Sequence, residues 1–232
     1  MIKLRNMLVA VIAITSLTTS AFAGSFGFGA TGSMAIIEAT GSEKEGTAAD
    51  VNNKANVSNN VTVGSLFAEY SFEGFGGVTL GVSTIPGSAN VSSSTITRND
   101  LELSKTGTAT TTAASVDRKA QAEVENILTY YAELPIHAGV YVKAGLTSMD
   151  VNTQEVLTTG LAYGNTSVDG NMYGVGYKKE LGTNAFYKLE GTHTAFDKLT
   201  LNESGQSTGS AQNSVSADLD VTKLTIGLGF KF

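Results

Sequence analysis

Residues 219–232 read LDVTKLTIGLGFKF, and their side chains alternate between two kinds along the chain. One phase is mostly large and apolar: Thr222, Leu224, Ile226, Leu228, Phe230 and Phe232. The other phase is small or charged: Val221, Lys223, Thr225, Gly227, Gly229 and Lys231. A period of two is typical of a β-strand, and this contrast predicts a strand whose two faces meet different surroundings.

The same alternation recurs earlier in the chain and predicts further strands. We place these strands at residues 26–36, 63–72, 78–85, 128–132, 139–147, 172–178 and 185–196. Residues 119–127, which precede the fourth of them, also fit an amphipathic helix. With the terminal stretch, the pattern predicts eight strands.

The connections between these strands alternate in length. Polar stretches at 41–60, 87–118, 150–170 and 197–218 are long, whereas 73–77, 134–137 and 180–184 are short. In a soluble β-sandwich, loop length is not expected to differ systematically between the two ends of the strands. A transmembrane barrel, by contrast, has short periplasmic turns at one end and long outer loops at the other. We therefore predict an all-β fold, a transmembrane antiparallel up-and-down β-barrel with long extracellular loops. The strand count is open between 8 and 10, because the second long connection has room for one more hairpin.

The N-terminal residues predict an export signal. Lys3 and Arg5 precede an apolar run at 7–17, and Ala21-Phe22-Ala23 offers a cleavage site after Ala23. This divides the chain into a signal peptide at 1–23 and one barrel domain at 24–232.

The composition excludes several classes of function. The net charge is −6, and it becomes −6 − 2 = −8 once Lys3 and Arg5 are removed, which argues against a nucleic-acid partner. The chain has 0 Cys, so disulfides, thiol nucleophiles and thiolate metal sites are excluded.

The stretch GFGATG at 27–32 matches the G-x-G-x-x-G pattern of dinucleotide-binding proteins. That pattern needs a strand before it and a helix after it. Only three residues separate Gly27 from the predicted cleavage site, and no amphipathic helix follows. We interpret Gly27, Gly29 and Gly32 as structural glycines that relieve crowding in a narrow barrel.

Aromatic residues gather near the short turns and the chain ends, which predicts an interfacial girdle at one level of the membrane. They are Phe26, Phe28, Tyr70, Phe72, Phe75, Tyr130, Tyr131, Tyr141, Tyr177, Phe186, Tyr187, Phe230 and Phe232.

Together, the export signal, the strand FYKLEGTHTAFD at 186–197 and the terminal LTIGLGFKF resemble the small OmpA-type outer-membrane barrels of Gram-negative bacteria. The resemblance implies an eight-stranded barrel in the bacterial outer membrane, in contact with its lipid and lipopolysaccharide. A final Phe232 with Phe230 two residues before it looks like the assembly signal that such families present to the barrel-assembly machinery.

Charged residues on the polar phase are the candidate functional residues. Eight strands enclose a lumen just wide enough for side chains, so inward charges must pair. The candidates are Glu69, Glu125, Lys143, Lys188 and Glu190. They form either a fixed network that plugs the lumen or a gate that switches partners and passes small solutes.

The sequence gives little support to catalysis. The parity of His193 points it toward lipid, and outer-membrane lipid A deacylases carry a His-x-Ser pair on such a surface, but Ala195 stands here instead of serine. No calcium loop of EF-hand spacing occurs. We predict no catalytic residue, no metal site and no cofactor.

These observations predict a non-enzymatic outer-membrane protein with a structural or cell-surface role exercised through its large outer loops. Surface ligands or phage are its expected outside partners. The alternative is a narrow porin-like channel for small or hydrophobic solutes.

Overall fold

A computed structural model describes the protein over residues 24–44, 52–106, 109–154, 162–202 and 214–232. The predicted signal peptide lies outside these residues. The strands of the described part are β1 (Gly24–Lys44), β2 (Asn52–Phe72), β3 (Thr79–Asn90), β4 (Ile96–Thr106), β5 (Ala109–Ala120), β6 (Ala122–His137), β7 (Val140–Thr153), β8 (Thr166–Leu181), β9 (Ala185–Phe196), β10 (Leu199–Asn202) and β11 (Ser214–Lys231). Within the same residues, no helix is long and apolar enough to cross a membrane.

Eight of these strands form a closed antiparallel ring. Their order is β1-β2-β3-β6-β7-β8-β9-β11, and β11 pairs with β1 to close the ring. This confirms the predicted all-β barrel. β4 and β5 form a separate hairpin inside the second long connection, so the extra hairpin that the sequence left open lies outside the ring. β10 continues beside β11 beyond the end of β9.

The ring carries its large apolar side chains on the outside. In β11, Leu224, Ile226 and Leu228 are 67%, 60% and 61% exposed, whereas Thr225 on the opposite phase is 6% exposed. The same outward phase holds Met34 and other large apolar residues on neighbouring strands. A continuous exposed apolar surface of this kind suits contact with lipid, and we call it the apolar belt.

The strands extend further than the alternation predicts. β1 and β2 each contain 21 residues, about twice what a tilted strand needs to span a bilayer. Much of the stretch at 41–60, expected as a loop, is therefore strand. Beyond the belt the outward side chains are polar, because that face of the sheet meets water, so the apolar alternation of the belt does not mark this part of the strands. The helical alternative for 119–127 is wrong, since these residues fall in β5 and β6 and the gap between them.

Inward-facing glycines stand directly opposite aromatic side chains of the neighbouring strand. The pairs are Gly29 with Phe67, Gly81 with Tyr131, Gly176 with Tyr141, and Gly229 with Phe186. A Cβ added at Gly229 would lie 2.3 Å from Cζ of Phe186. The rings therefore occupy the space that a side chain would need.

This pairing corrects part of the predicted girdle. Tyr131, Tyr141 and Phe186 point into the lumen and are 5%, 3% and 1% exposed, so they do not face lipid. Of the glycines in GFGATG, Gly29 has no room for a side chain, because an added Cβ would lie 2.1 Å from the backbone oxygen of Leu228 and 2.6 Å from the Phe67 ring. Gly32 faces outward with no atom within 4 Å of an added Cβ, so crowding does not explain it.

The ring has one thin place, between β2 and β3. These strands share only six paired positions, from Leu66 opposite Thr84 to Ser71 opposite Thr79. Beyond Leu66, β2 continues along β1 while β3 continues along β6. Asn59 Nδ2 donates to the backbone oxygen of Asn90 at 2.7 Å across this place. We call it the β2–β3 seam.

Candidate functional site: the lumen

Six inward-facing charges form one continuous alternating chain across the lumen. Glu69 accepts from Lys178 and, at 2.5 Å, from Lys188. Lys188 also lies 2.6 Å from Glu133, which is 3.5 Å from Lys143. Lys143 then reaches Glu190 at 2.8 Å. We call this arrangement of three lysines and three glutamates the ion chain.

Five of the eight ring strands hold the ion chain: β2, β6, β7, β8 and β9. Glu69 stands opposite Gly27 near the start of β1, and Glu133 lies shortly before the Ala138–Gly139 turn, whose φ angles are 50° and 84°. The ion chain therefore lies toward the end of the barrel with the short turns and the chain terminus.

Tyrosines complete the hydrogen bonding of the ion chain. The Tyr131 hydroxyl donates to Glu69 at 3.2 Å, and the Tyr141 hydroxyl donates to Glu190 at 2.6 Å. The Lys143 ammonium also lies 3.8 Å from the centre of the Tyr131 ring. These contacts compensate charges that have been withdrawn from water, which would otherwise be costly to bury.

The structure brings together Glu69, Lys143, Lys188 and Glu190 of the predicted residues. Glu125 does not join them, because it lies eight positions before Glu133 on β6, about 26 Å along the strand. It accepts a hydrogen bond from Asn152 at 2.8 Å instead.

The sequence analysis missed Glu133 and Lys178 as members. Lys178 was on the predicted polar phase. Glu133 stood beside a predicted turn, outside the predicted strand. Continuing the alternation from Tyr131 would have placed Glu133 on the inward face.

Next to the ion chain, toward the outer end, lies a layer of paired hydroxyl groups. Ser33 and Thr225 are 2.8 Å apart, and Thr129 and Thr147 are 2.9 Å apart. Thr31 and Ser65 form a third pair. This layer separates the charges from the interior of the outer half of the barrel.

The interior of the outer half is apolar. A buried cluster of aliphatic side chains and one methionine fills it: Ile37, Val91, Val124, Met149, Val151, Val168 and Leu219. Above this cluster, a cavity of about 230 Å³ opens between the outer ends of the strands, with Val57, Val151, Val168 and Leu219 in its wall. We call it the outer cup.

A second cavity of about 240 Å³ opens at the opposite end, where Glu69, Glu133 and Lys178 line it. From one end to the other, the lumen therefore holds an open vestibule, the ion chain, the hydroxyl layer, the apolar cluster and the outer cup. The ion chain and the two layers beyond it fill the cross-section, as expected for eight strands.

His193 has polar neighbours on the outer surface. Its Nδ1 is 3.0 Å from Thr222 Oγ1, its Nε2 is 3.6 Å from Asp220, and its ring lies 5.3 Å from that of Tyr173. The flanking strands β8 and β11 are both paired with β9 at this position, His193 standing opposite Tyr173 and Thr222. Within the described residues, no group of three or more metal-ligating side chains occurs.

The two residues of the predicted assembly signal face outward at the end of β11. Phe230 and Phe232 are 55% and 71% exposed, and the Phe232 ring stacks on Phe28 at 5.7 Å between centroids. Their position at the rim of the apolar belt makes both side chains accessible from outside the barrel.

Comparisons with known proteins add a family and a set of similar structures. Residues 9–232 match the family described as "Outer membrane protein beta-barrel domain". No curated protein matches the chain.

Three similar solved structures illustrate the likeness. OprG from Pseudomonas aeruginosa is 15% identical, with 92% of this chain and 98% of that chain covered and a TM-score of 0.46. Neisserial surface protein A is 11% identical, with 90% of this chain and 99% of that chain covered and a TM-score of 0.40. Ail of Yersinia pestis, solved in complex with the heparin analogue sucrose octasulfate, is 14% identical, with 88% of this chain and 99% of that chain covered and a TM-score of 0.38.

Proposed function

This chain belongs to the outer membrane protein β-barrel domain family, and we propose that it is a non-enzymatic barrel, closed to ions, that acts at the cell surface. Membership of the family places it in the bacterial outer membrane. Cleavage after Ala23 remains a prediction, as does delivery to the barrel-assembly machinery through Phe230 and Phe232.

The ion chain is the observation that carries this proposal. Each of its carboxylates touches two cations or one cation and a tyrosine, and Lys188 and Glu133 are each 2% exposed. A gate opens when its charged side chains exchange one partner for another of similar energy. In this buried network, a side chain that left its partner would leave an uncompensated charge behind. The network therefore favours a fixed plug.

A surface role is supported by how much of the chain stands beyond the apolar belt. On β1 the outward residues after Ile36 are Glu38, Thr40 and Ser42, so the sheet continues well past its apolar stretch. The hairpin of β4 and β5 adds a further projection. We propose that these parts contact surface ligands or phage, while the belt contacts lipid and lipopolysaccharide.

Single-channel recording in a planar bilayer tests the closed lumen. We expect no unit openings from the refolded and inserted wild-type protein, because the ion chain spans the cross-section. Lys143→Ala is the companion variant, since it removes the lysine that links Glu133 to Glu190. Regular openings in the wild type that change in size or frequency with Lys143→Ala would instead make the ion chain a gate.

A second candidate function, passage of small hydrophobic solutes, is favoured by the outer cup and the β2–β3 seam. The cup has apolar walls and a volume of about 230 Å³, room for an apolar molecule of about ten carbon atoms. Val57 and Val61 of β2 and Ala89 of β3 pack on the apolar cluster beneath it. The wall at the seam is thus held by apolar packing and offers a sideways route that avoids the ion chain.

Cross-linking tests that route, and the absence of native cysteine makes it specific. In cells that make the protein, we expect uptake of naphthalene to exceed that of cells without it. Joining Asn59→Cys to Asn90→Cys with a short thiol-reactive linker should abolish the excess. The control joins Glu38→Cys to Ser58→Cys, which are already paired between β1 and β2. Equal uptake with and without the seam cross-link would exclude the sideways route.

A further inference from the structure

Lys223 is a fourth inward-facing lysine in the lumen. It lies on β11 opposite Ala35 of β1 and Thr192 of β9, on the same phase as Thr225, which points inward. The ion chain is already neutral, with three lysines and three glutamates. No ion pair to Lys223 occurs among the described residues, so this part of the lumen carries one surplus positive charge.

The groups around Lys223 also have a surplus of hydrogen-bond donors. Thr192, opposite Lys223, is 6% exposed, and its Oγ1 is buried without a hydrogen-bond partner in the described structure. Nearby, Ser33 pairs with Thr225, and in such a pair only one hydroxyl hydrogen is used. A lysine ammonium adds three donors and no acceptor.

These groups line one small cavity. It has a volume of about 30 Å³, and Lys223, Thr192, Thr225 and Lys143 are in its wall. The Glu190 carboxylate, which also lines it, is already engaged by Lys143 and Tyr141. Lys223 is half-buried. Water would satisfy its donors but would bring no charge, and it is costly to withdraw an ammonium from bulk water without a counter-charge.

We propose that this cavity binds one small monovalent anion of halide size, held by the Lys223 ammonium and the Thr192 hydroxyl. The anion compensates the surplus charge and accepts from the otherwise unused hydroxyl. The inference is independent of the proposed function, because it concerns a resident ion in the lumen and holds for a closed barrel as well as for a conducting one.

Bromide tests the site directly. Crystals of the detergent-solubilised protein are grown in sodium bromide, and anomalous diffraction is recorded at the bromine edge. We expect a peak between Lys223 Nζ and Thr192 Oγ1 in the wild type and its loss in Lys223→Met. Lys231→Met is the matched control, because Lys231 lies on the same strand and pairs with Glu180 outside this cavity; the peak should remain in this variant.

The wild-type crystal alone can overturn the proposal, since a cavity without an anomalous peak holds no halide. A peak that persists in Lys223→Met would equally overturn it. If Lys223→Met does not fold, Thr192→Val takes its place, since it keeps the cation and removes the hydroxyl. We expect lower bromide occupancy in that variant, and unchanged occupancy would contradict the assignment.

Discussion

At the residue scale, Glu133 is the member of the ion chain on which the others most depend. It is the link between Lys188 and Lys143, and without it the other five charges separate into one group of three and one of two. The alternation of side chains placed every member except Glu133 on the inward face. It does not give the register between non-adjacent strands, so which charges meet across the lumen had to come from the structure.

Glu133→Gln should destabilise the barrel by roughly 3 kcal/mol, because it leaves the ion chain with three lysines and only two carboxylates, and so with one buried positive charge in excess. Equilibrium unfolding by urea in lipid vesicles measures the change. Glu125→Gln is the control on the same strand, because Glu125 lies outside the ion chain and bonds to Asn152; we expect a change below about 0.5 kcal/mol there. Equal losses in the two variants would contradict a special role for the ion chain.

Gly229→Ala should destabilise the barrel by about 1–3 kcal/mol, because the new methyl group would overlap the Phe186 ring. The same unfolding measurement applies. Gly32→Ala is the matched control in open space, and we expect little change. Adding Phe186→Leu to Gly229→Ala should recover part of the lost stability. If the double variant recovers none, overlap with the Phe186 ring is not the cause of the loss.

At the scale of strands, the β2–β3 seam differs from every other junction of the ring. The closing junction of β1 with β11 is paired from Gly27 with Lys231 to Lys44 with Ser214, far longer than the six positions of the seam. The alternation of side chains could not predict this, because it indicates which face a residue occupies and not where two neighbouring strands separate. Strand lengths were underestimated for a related reason: outside the belt the outward side chains are polar, so the pattern of large apolar residues on the outward face ends there.

Amide hydrogen exchange should show the seam as an alternating pattern on β2. Between Asn52 and Ser65, every second amide points toward β3, where no backbone partner is paired, and should exchange quickly. The amides between them bond to β1 and should be protected. Uniform protection along this part of β2 would contradict the seam.

The terminal residue of the chain offers an element-scale test of assembly. Phe232→Ser should slow insertion, if Phe232 presents the assembly signal, and should lower the amount of folded protein in the outer membrane. Phe28→Ser is the control, because it removes the same ring contact from β1 while keeping the chain end. Equal outer-membrane levels of Phe232→Ser and wild type would leave the aromatic ending without a role in assembly.

At the scale of the whole molecule, the alternation of loop lengths was enough to predict a closed barrel, because it reports on the ends of the strands without needing their exact bounds. The apolar outer half of the lumen was not predicted. Its members, such as Ile37 and Met149, occur on the inward phase, which elsewhere carries polar residues. The inward phase of one strand is therefore polar in one half of the barrel and apolar in the other.

Single tryptophans can map the apolar belt, since the chain has 0 Trp. Leu224→Trp replaces an outward side chain that is 67% exposed, and brominated lipid should quench its fluorescence strongly. Ser58→Trp lies on β2 beyond the apolar stretch and should be quenched little. Equal quenching at both positions would place the membrane boundary elsewhere on the strands.

The neutrality of the ion chain has an evolutionary consequence. A relative that loses one glutamate must also lose or move a lysine on another strand, so substitutions at these six positions should occur in charge-balanced sets. Such covariation links residues as distant in sequence as Glu69 and Lys188, and it survives when overall identity has faded. The six positions together therefore form a fingerprint by which distant members with the same lumen can be recognised.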